Sequence, residues 1–320
     1  MAHRFPFPHP FGWFQVAYPD DLEPGTATAL QYWSTDLVLW RDEAGEYHLQ
    51  DAYCPHLGAH LGVGGRVCGT TLECPFHGWA FSGNGDCVKI PYSDRVNRKA
   101  RLRTYPLIVR NGMVMAWRHP DPQESPRWDI PEIPEIGDDQ WSEYYRSTYT
   151  VRTVPQEMAE NGVDPAHFLF VHGTETVAEM EKYETDGPSS VMLSKQSYVT
   201  PRGTTWGRID VFNHGPGFAK VWFSGIVDAI NIAATTPIDE ETTQVRFNFT
   251  VRKFEDESMT STVADAFVAE INKQIIEDTP IWENKIFLQV PALSEGDGPI
   301  AKFRKWYAQF YAEPMLTDAQ

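Results

Sequence analysis

Positive charge is in short supply in this chain. Its 27 lysines and arginines stand against 44 aspartates and glutamates, a formal net charge of −17 over 320 residues. That balance argues against nucleic acid as a partner, because its phosphates would be repelled. Long apolar runs are missing too. No stretch approaches the roughly 20 residues a membrane-spanning helix needs, so no membrane span is expected. The N-terminal stretch is broken by Pro6, Pro8 and Pro10 and lacks the apolar segment of a secretory signal. There is no low-complexity segment and no internal repeat. No flavin or nicotinamide motif is present either. The glycine-rich Gly62-Val63-Gly64-Gly65 is followed by no helical pattern and reads as turn chemistry. The expectation is a soluble, cytoplasmic protein that cannot draw electrons from NAD(P)H unaided.

Cysteine is scarce as well, four in all, yet two of the four stand in a telling setting. Cys54-Pro55-His56-Leu57-Gly58 and Cys74-Pro75-Phe76-His77-Gly78-Trp79 each pair a thiol with an imidazole on a tight Pro/Gly loop. Two such loops can grip a metal centre from two sides. Zinc accepts two Cys and two His, although zinc fingers rarely set Pro and Gly around both pairs. The Cys-x-His…Cys-x-x-His order resembles the Rieske [2Fe-2S] family. The resemblance implies that Cys54 and Cys74 hold one iron and His56 and His77 the other, which raises the potential above that of an all-Cys cluster. Respiratory members carry an extra Cys in each loop; here Ala59 and Phe76 occupy those places. The likeness is therefore to the lower-potential centres of ferredoxins and oxygenases. Cys68 and Cys87, outside both loops, are expected to be buried small hydrophobes. Thiols kept available for a cluster imply a reducing compartment.

A Rieske ferredoxin needs only about 100 residues, so most of this chain requires a second domain. The residues are 42% hydrophobic and 13% aromatic, ample for two cores. Residues 1–125 read as a small all-β domain with the cluster loops at its tip. Tyr32-Trp33 and Leu37-Val38-Leu39-Trp40 are β-rich, and Asn111-Gly112 and Ser82-Gly83-Asn84-Gly85 are turns. A proline-rich, acidic connector from Pro120 to Gly137 marks the boundary. Residues 126–320 open with an alternating strand over Glu143 to Tyr149. A helix follows, with Thr153 and Gln156 as a capping box and Pro155 in its first turn. Strands are expected around 190–200, 204–213, 218–235 and 243–253, then a long amphipathic helix over Ser261 to Ile276. The fold class is α+β, an antiparallel sheet covered by a long C-terminal helix with a pocket between them.

A second metal motif lies in Asn161-Gly162-Val163-Asp164-Pro165-Ala166-His167, with His172 five residues on. Asn161, Asp164 and His167 are three apart and share one face of a helix, which Gly162 and Pro165 would make irregular. Two His and a carboxylate form the facial triad of non-haem Fe(II) enzymes. Two His in an aromatic segment also suit packed core residues. The pattern Asn-x-x-Asp-x-x-His-x4-His resembles the catalytic-iron motif of Rieske non-haem iron oxygenases, a likeness covering essentially the whole chain. It implies a helix-grip catalytic domain whose mononuclear Fe(II) is held by His167, His172 and a downstream acid. That acid maps onto Asp278, shortly before Ile281-Trp282, with Glu277 and Glu283 as alternatives, in a segment expected to follow the long helix. Asn161 and Asp164 are the further catalytic-site residues. The family role of Asp164 is to bridge an iron-binding His to a cluster His of the neighbouring subunit, which implies a homotrimer.

The resemblance also implies O2 as co-substrate and a separate NAD(P)H-dependent reductase, a ferredoxin, or both. Arg95, Arg98, Lys99, Arg101 and Arg103 form a basic cluster in an otherwise acidic protein. They suit either a docking patch for an acidic donor or a charge-guarded strand edge. Thr236-Pro237-Ile238-Asp239-Glu240, Ile281-Trp282-Glu283-Asn284-Lys285, Asp297-Gly298-Pro299-Ile300 and Arg304-Lys305-Trp306-Tyr307-Ala308-Gln309-Phe310-Tyr311 resemble the branch holding the 3-ketosteroid 9α-hydroxylase oxygenase component and the sterol 7-desaturases. That branch implies hydroxylation of a steroid or similar polycyclic apolar substrate. Phe168, Trp206, Phe212, Phe218, Trp222 and Phe223 are the candidate pocket wall. O- or N-demethylation of an aromatic compound is the near alternative. An electron carrier or ligand-binding protein without mononuclear iron is the alternative of another class.

Overall fold

A computed structural model describes residues 4–200, 203–225 and 227–312, apart from the side chains of 198–200. The chain divides into two compact units. One is Phe11–Asp129; the other runs from Ile130 and also takes the residues up to Pro10.

The strands of the first unit are β1 (Gly12–Ala17), β2 (Thr26–Tyr32), β3 (Thr35–Arg41), β4 (Tyr47–Asp51), β5 (Arg66–Cys68), β6 (Thr71–Glu73), β7 (Ala80–Ser82), β8 (Cys87–Lys89), β9 (Thr104–Tyr105), β10 (Leu107–Arg110) and β11 (Met113–Arg118). They form antiparallel sheets in the orders β1-β11-β10, β2-β3-β4-β9 and β5-β6-β7-β8. Leu37 to Trp40 is apolar without alternation because β3 is buried throughout that run. Trp33 departs from the expected strand. It shares a two-residue turn with Ser34, at φ 56° and 55°, the geometry that suits a tight hairpin. The unfavourable backbone of a bulky residue there is offset by burial, with its ring 5.6 Å from Tyr105. Cys68 also differs from expectation: it is exposed at the end of an edge strand, whereas Cys87 is buried.

The second unit comprises β12 (Tyr145–Val151), α1 (Pro155–Asn161), α2 (Pro165–Phe170), β13 (Glu179–Asp186), β14 (Ser189–Thr200), β15 (Gly203–His214), β16 (Phe218–Ser224), β17 (Ala229–Pro237), β18 (Thr243–Val251), α3 (Glu257–Asn284) and α4 (Ile300–Tyr307). Its antiparallel sheet runs β12-β18-β17-β16-β15-β14-β13, and α3 packs on β12 and β18. This is the helix-grip arrangement. The expected strand over 218–235 is two strands, β16 and β17. Helix α1 has Val154, not Thr153, at its N-cap, with Pro155 first inside it. Thr153 is buried, and its carbonyl accepts from Thr243 Oγ1 at 2.7 Å, so it is committed to the sheet.

Helix α3 is longer than its periodicity indicates. Asp256 caps its start by accepting from Ser258 N. Its buried face carries Ala264, Ile275, Asp278 and Trp282, and Ile275 and Trp282 pack with Val151, Met158 and Val245. Removing a buried Trp of this kind costs about 3–5 kcal/mol. Pro280 denies the Ile276 carbonyl its donor, yet the helix runs on to Asn284. Packing of Trp282 holds the last turn, while the Arg4 and Arg152 guanidiniums donate to the Glu283 carbonyl. The segment expected to follow the helix therefore lies inside it.

Residues 4–10 do not belong with the first unit, where a domain beginning at residue 1 would put them. Phe5 and Phe7 pack against Val154, Phe287 and Tyr311, and Phe7 stacks on Tyr311 at 5.1 Å. Among the described residues, no helix is long and apolar enough to cross a membrane.

Candidate metal centres and active site

Two loops of the first unit repeat one hydrogen-bond pattern. Cys54 N donates to Ala59 O and Gly58 N to Cys54 O, both at 2.9 Å. Cys74 N donates to Trp79 O at 2.8 Å and Gly78 N to Cys74 O at 3.0 Å. Each loop turns back on a glycine, Gly58 at φ 76° and Gly78 at φ 69°, a conformation that side chains disfavour. The loops lie between β4 and β5 and between β6 and β7. They bring the His56 and His77 rings to 4.6 Å. Cys54 and Cys74 are buried. Burial pushes the Cys54 thiol up to about 11, and the Cys74 thiol beside it adds to the rise. Nδ1 of His56 and Nδ1 of His77 are both buried without a hydrogen-bond partner. Two orphaned imidazole nitrogens beside two buried thiols form a donor set that fits an iron-sulfur cluster.

The second unit gathers a different set. The stretch expected to be one helix is two, because Gly162 ends α1 and Asp164 starts α2. The Asp164 carboxylate accepts from Ala166 N at 3.0 Å and His167 N at 3.4 Å. Its backbone carbonyl takes the His167 Nδ1–H at 2.5 Å. His172 Nδ1–H donates to Glu277 Oε2 at 3.0 Å, while its Nε2 lies 3.5 Å from Asp278 Oδ1. In both rings the far nitrogen is left to face inward. His167, His172 and Asp278 bring their ligand atoms within 4.8 Å of one another, a set able to hold a metal ion. Burial lowers the basicity of His167. It acts the same way on His172, but there the Asp278 and Glu277 carboxylates outweigh it and the pKa rises. Glu277 is held below its ordinary value by its hydrogen bond to His172.

Glu277 thus touches the outer nitrogen of the ring and not the set's interior, and Glu283 lies away from it, accepting at its Oε1 from Arg152 N. The Glu277 role escaped the sequence. Its signal was adjacency to Asp278 on a helix, where neighbouring side chains point about 100° apart.

An apolar cavity of about 200 Å³ opens onto these three residues, and Asn161 lies on its wall. Of the six aromatics expected there, Phe168, Phe218 and Phe223 line it. Trp206, Phe212 and Trp222 do not. On β15 the inward residues are Ile209, Val211 and Asn213, so Trp206 and Phe212 fall on the opposite face by strand alternation. Trp222 likewise packs edge-on against Trp141. Behind the cavity, Arg304 of α4 grips the Glu160 carboxylate with bonds of 2.6 and 2.7 Å, which ties the C-terminal segment to α1.

An all-β unit with paired Cys/His loops, followed by a helix-grip unit with a two-His, one-carboxylate set, defines a Rieske non-haem iron oxygenase. Residues 12–106 match the Rieske [2Fe-2S] domain. Residues 116–311 match the 3-ketosteroid 9alpha-hydroxylase C-terminal domain, and the chain belongs to that family. It is 31% identical to the cholesterol 7-desaturase of Bombyx mori over 99% of this chain and 73% of that protein. It is 30% identical to the oxygenase component of a 3-ketosteroid-9-alpha-monooxygenase of Rhodococcus rhodochrous, over 94% of this chain and 84% of that one. The crystal structure of dicamba monooxygenase bound to dicamba shares the fold, with a TM-score of 0.72 at 18% identity over 93% of this chain and 96% of that one. The protein is a terminal oxygenase component of a monooxygenase, its cofactors are a Rieske [2Fe-2S] cluster and one mononuclear iron, and its electrons come from a separate reductase or ferredoxin.

Proposed function

We propose that this oxygenase hydroxylates a steroid or similar polycyclic apolar substrate. The observation that carries the reading is the apolar cavity ending at His167, His172 and Asp278. It is supported by the relatives' names, which are those of sterol and 3-ketosteroid enzymes. His167, His172 and Asp278 would hold the mononuclear iron; Cys54 and Cys74 would hold one iron of the cluster and His56 and His77 the other. When bound, the cluster supplies single electrons and the mononuclear iron supplies activation of O2 beside the substrate. The chain's own residues orient and exclude. The Asp164 carbonyl and Glu277 fix the imidazole tautomers. Phe168, Phe218 and Phe223 keep water from an apolar substrate. Asn231 Oδ1 accepts from Asn248 N at 3.2 Å, which leaves its NH2 end as the donor it contributes to the wall for a substrate oxygen.

A homotrimer is part of this reading. Leu57 and Phe76 stand 65% and 61% exposed on the cluster loops, a placement that suits coverage by a neighbouring subunit, with Asp164 as the bridging residue. A cytoplasmic location fits cysteines that are all free. The test is turnover with mass spectrometry, using iron-replete protein, a surrogate reductase, NADH and O2. Ketosteroids, sterols and aromatic ethers are the substrates offered. One added oxygen on a ketosteroid is the expected result; demethylation of an ether with no steroid product overturns the substrate class.

A further inference from the structure

The segment Arg95 to Arg103 concentrates basic residues in an acidic chain, and no strand runs through Pro91 to Ala100. Arg95, Arg98 and Lys99 therefore lie outside any strand, whereas Arg101 forms an antiparallel bridge with Asp86. Arg95, Arg98 and Lys99 are exposed, and Arg101 reaches outward to Asp86 at 3.0 Å. Between them Ala100 and Leu102 point inward, into the same core that holds Cys54, Cys74 and Trp79. The loop is held in shape by its own polar residues. Ser93 Oγ donates to Arg95 O at 2.8 Å, and Lys99 N donates to Asn97 Oδ1 at 3.0 Å.

This loop also touches the cluster loops. Pro91 lies against Gly78, where an added Cβ would meet its ring at 3.0 Å. Trp79 Nε1 donates to Tyr92 OH at 2.7 Å. The Trp79 ring lies flat on His56, with centroids 4.4 Å apart and planes 7° from parallel. Tyr92 is 63% exposed and Trp79 is 7% exposed, so a hydrogen bond and then a ring stack lead from the surface to the cluster loop.

We propose that the loop Pro91 to Lys99 is the docking surface for an acidic iron-sulfur electron donor, and that Tyr92 and Trp79 form the electron's entry to the His56 side of the cluster. The proposal rests on the oxygenase-component reading, which requires such a donor. The reduced donor loses one electron and the Rieske cluster gains one; no bond forms or breaks. Charge favours the site: on a molecule of net charge −17, an acidic donor is steered to a local positive patch, here Arg95, Arg98 and Lys99 against the single acid Asp94. The hydrogen bond and the ring stack then shorten the tunnelling path.

The probe is a plant-type [2Fe-2S] ferredoxin kept reduced by its NADPH-dependent reductase. Its binding is measured on a sensor surface, and bleaching of the oxygenase cluster is followed by stopped flow. The double variant Arg98→Glu/Lys99→Glu should weaken binding and slow reduction about tenfold or more at low salt, with the gap closing as salt screens the charges. Tyr92→Phe should slow reduction while leaving binding unchanged. A double variant that binds and is reduced like the wild type overturns the docking surface. So does an equal slowing by Lys182→Glu/Lys253→Glu, which would make net charge the cause. Wild-type rates that ignore salt overturn it without any variant. The cluster spectrum and its full reduction by dithionite establish that each variant is folded. Because cluster reduction is read without turnover, these outcomes are separate from a failed substrate screen.

Discussion

His172 stands between two consecutive carboxylates of one helix, with Nδ1 3.0 Å from Glu277 Oε2 and Nε2 3.5 Å from Asp278 Oδ1. Neighbouring helical residues diverge, so one acid reaches each side of the ring. The two should therefore fail differently. Asp278→Ala is expected to leave about two irons per chain in place of about three, with the cluster spectrum intact. Glu277→Gln keeps the set and loosens only the ring's outer support, lowering iron affinity about 10- to 100-fold. Iron analysis after graded chelation separates them. If Glu277→Gln strips the iron and Asp278→Ala retains it, the assignment of the third ligand is reversed.

The cysteines divide by burial. Cys54→Ser should abolish the visible absorption of the cluster, since its thiol sits in the paired loop. Cys68→Ser should leave that spectrum unchanged, because Cys68 is exposed on an edge strand. Absorption and circular dichroism of the purified variants check both.

Gly65 packs its Cα against backbone. A Cβ there would come 2.1 Å from the Leu61 carbonyl oxygen, so the chain must shift beside the first cluster loop. Gly65→Ala is expected to destabilise the protein by roughly 1–3 kcal/mol. A thermal midpoint equal to the wild type's would refute the contact.

Glu157 is fully buried beneath Lys285, whose Nζ lies 2.7 Å away. Burial raises its pKa despite the attraction of Lys285. The folded state therefore holds this proton more tightly than the unfolded chain. The stability this gives is complete below the ordinary glutamate pKa and is lost as pH rises through the raised one. Relative to Glu157→Gln, the wild type should gain stability as pH falls across that window. Thermal midpoints of both proteins between pH 7 and about pH 4 measure it; a constant difference would remove the titration.

For the proposed keto substrate, Asn231→Ala should lower kcat/KM about tenfold by removing one donor. The same change should do little with the analogue lacking that oxygen. Equal losses for both would mean that Asn231 only shapes the cavity.

Much of the architecture was legible because periodicity and turn chemistry are local. Asn111-Gly112 marked the hairpin between β10 and β11, and alternation marked β12. Local rules failed where tertiary packing overrode them. Trp33 entered a turn because its ring gains burial there. Helix α3 outran its apolar period because the buried Trp282 and the remote Arg4 hold its last turn. Strand direction decided the cavity wall, so half of the expected aromatics faced away from it.

What the sequence determined by itself was chemistry written in short spacing. The two Cys/His loops, the glycines that turn them, and the His167…His172 interval are all contained within a few residues, and the backbone permits few other arrangements. Only the tertiary structure decided which distant groups meet. It brought Asp278 to histidines more than a hundred residues earlier, set Glu277 behind one of them, and packed a basic loop against Trp79. Those pairings follow from how a sheet and a helix share a core, and no local pattern encodes that.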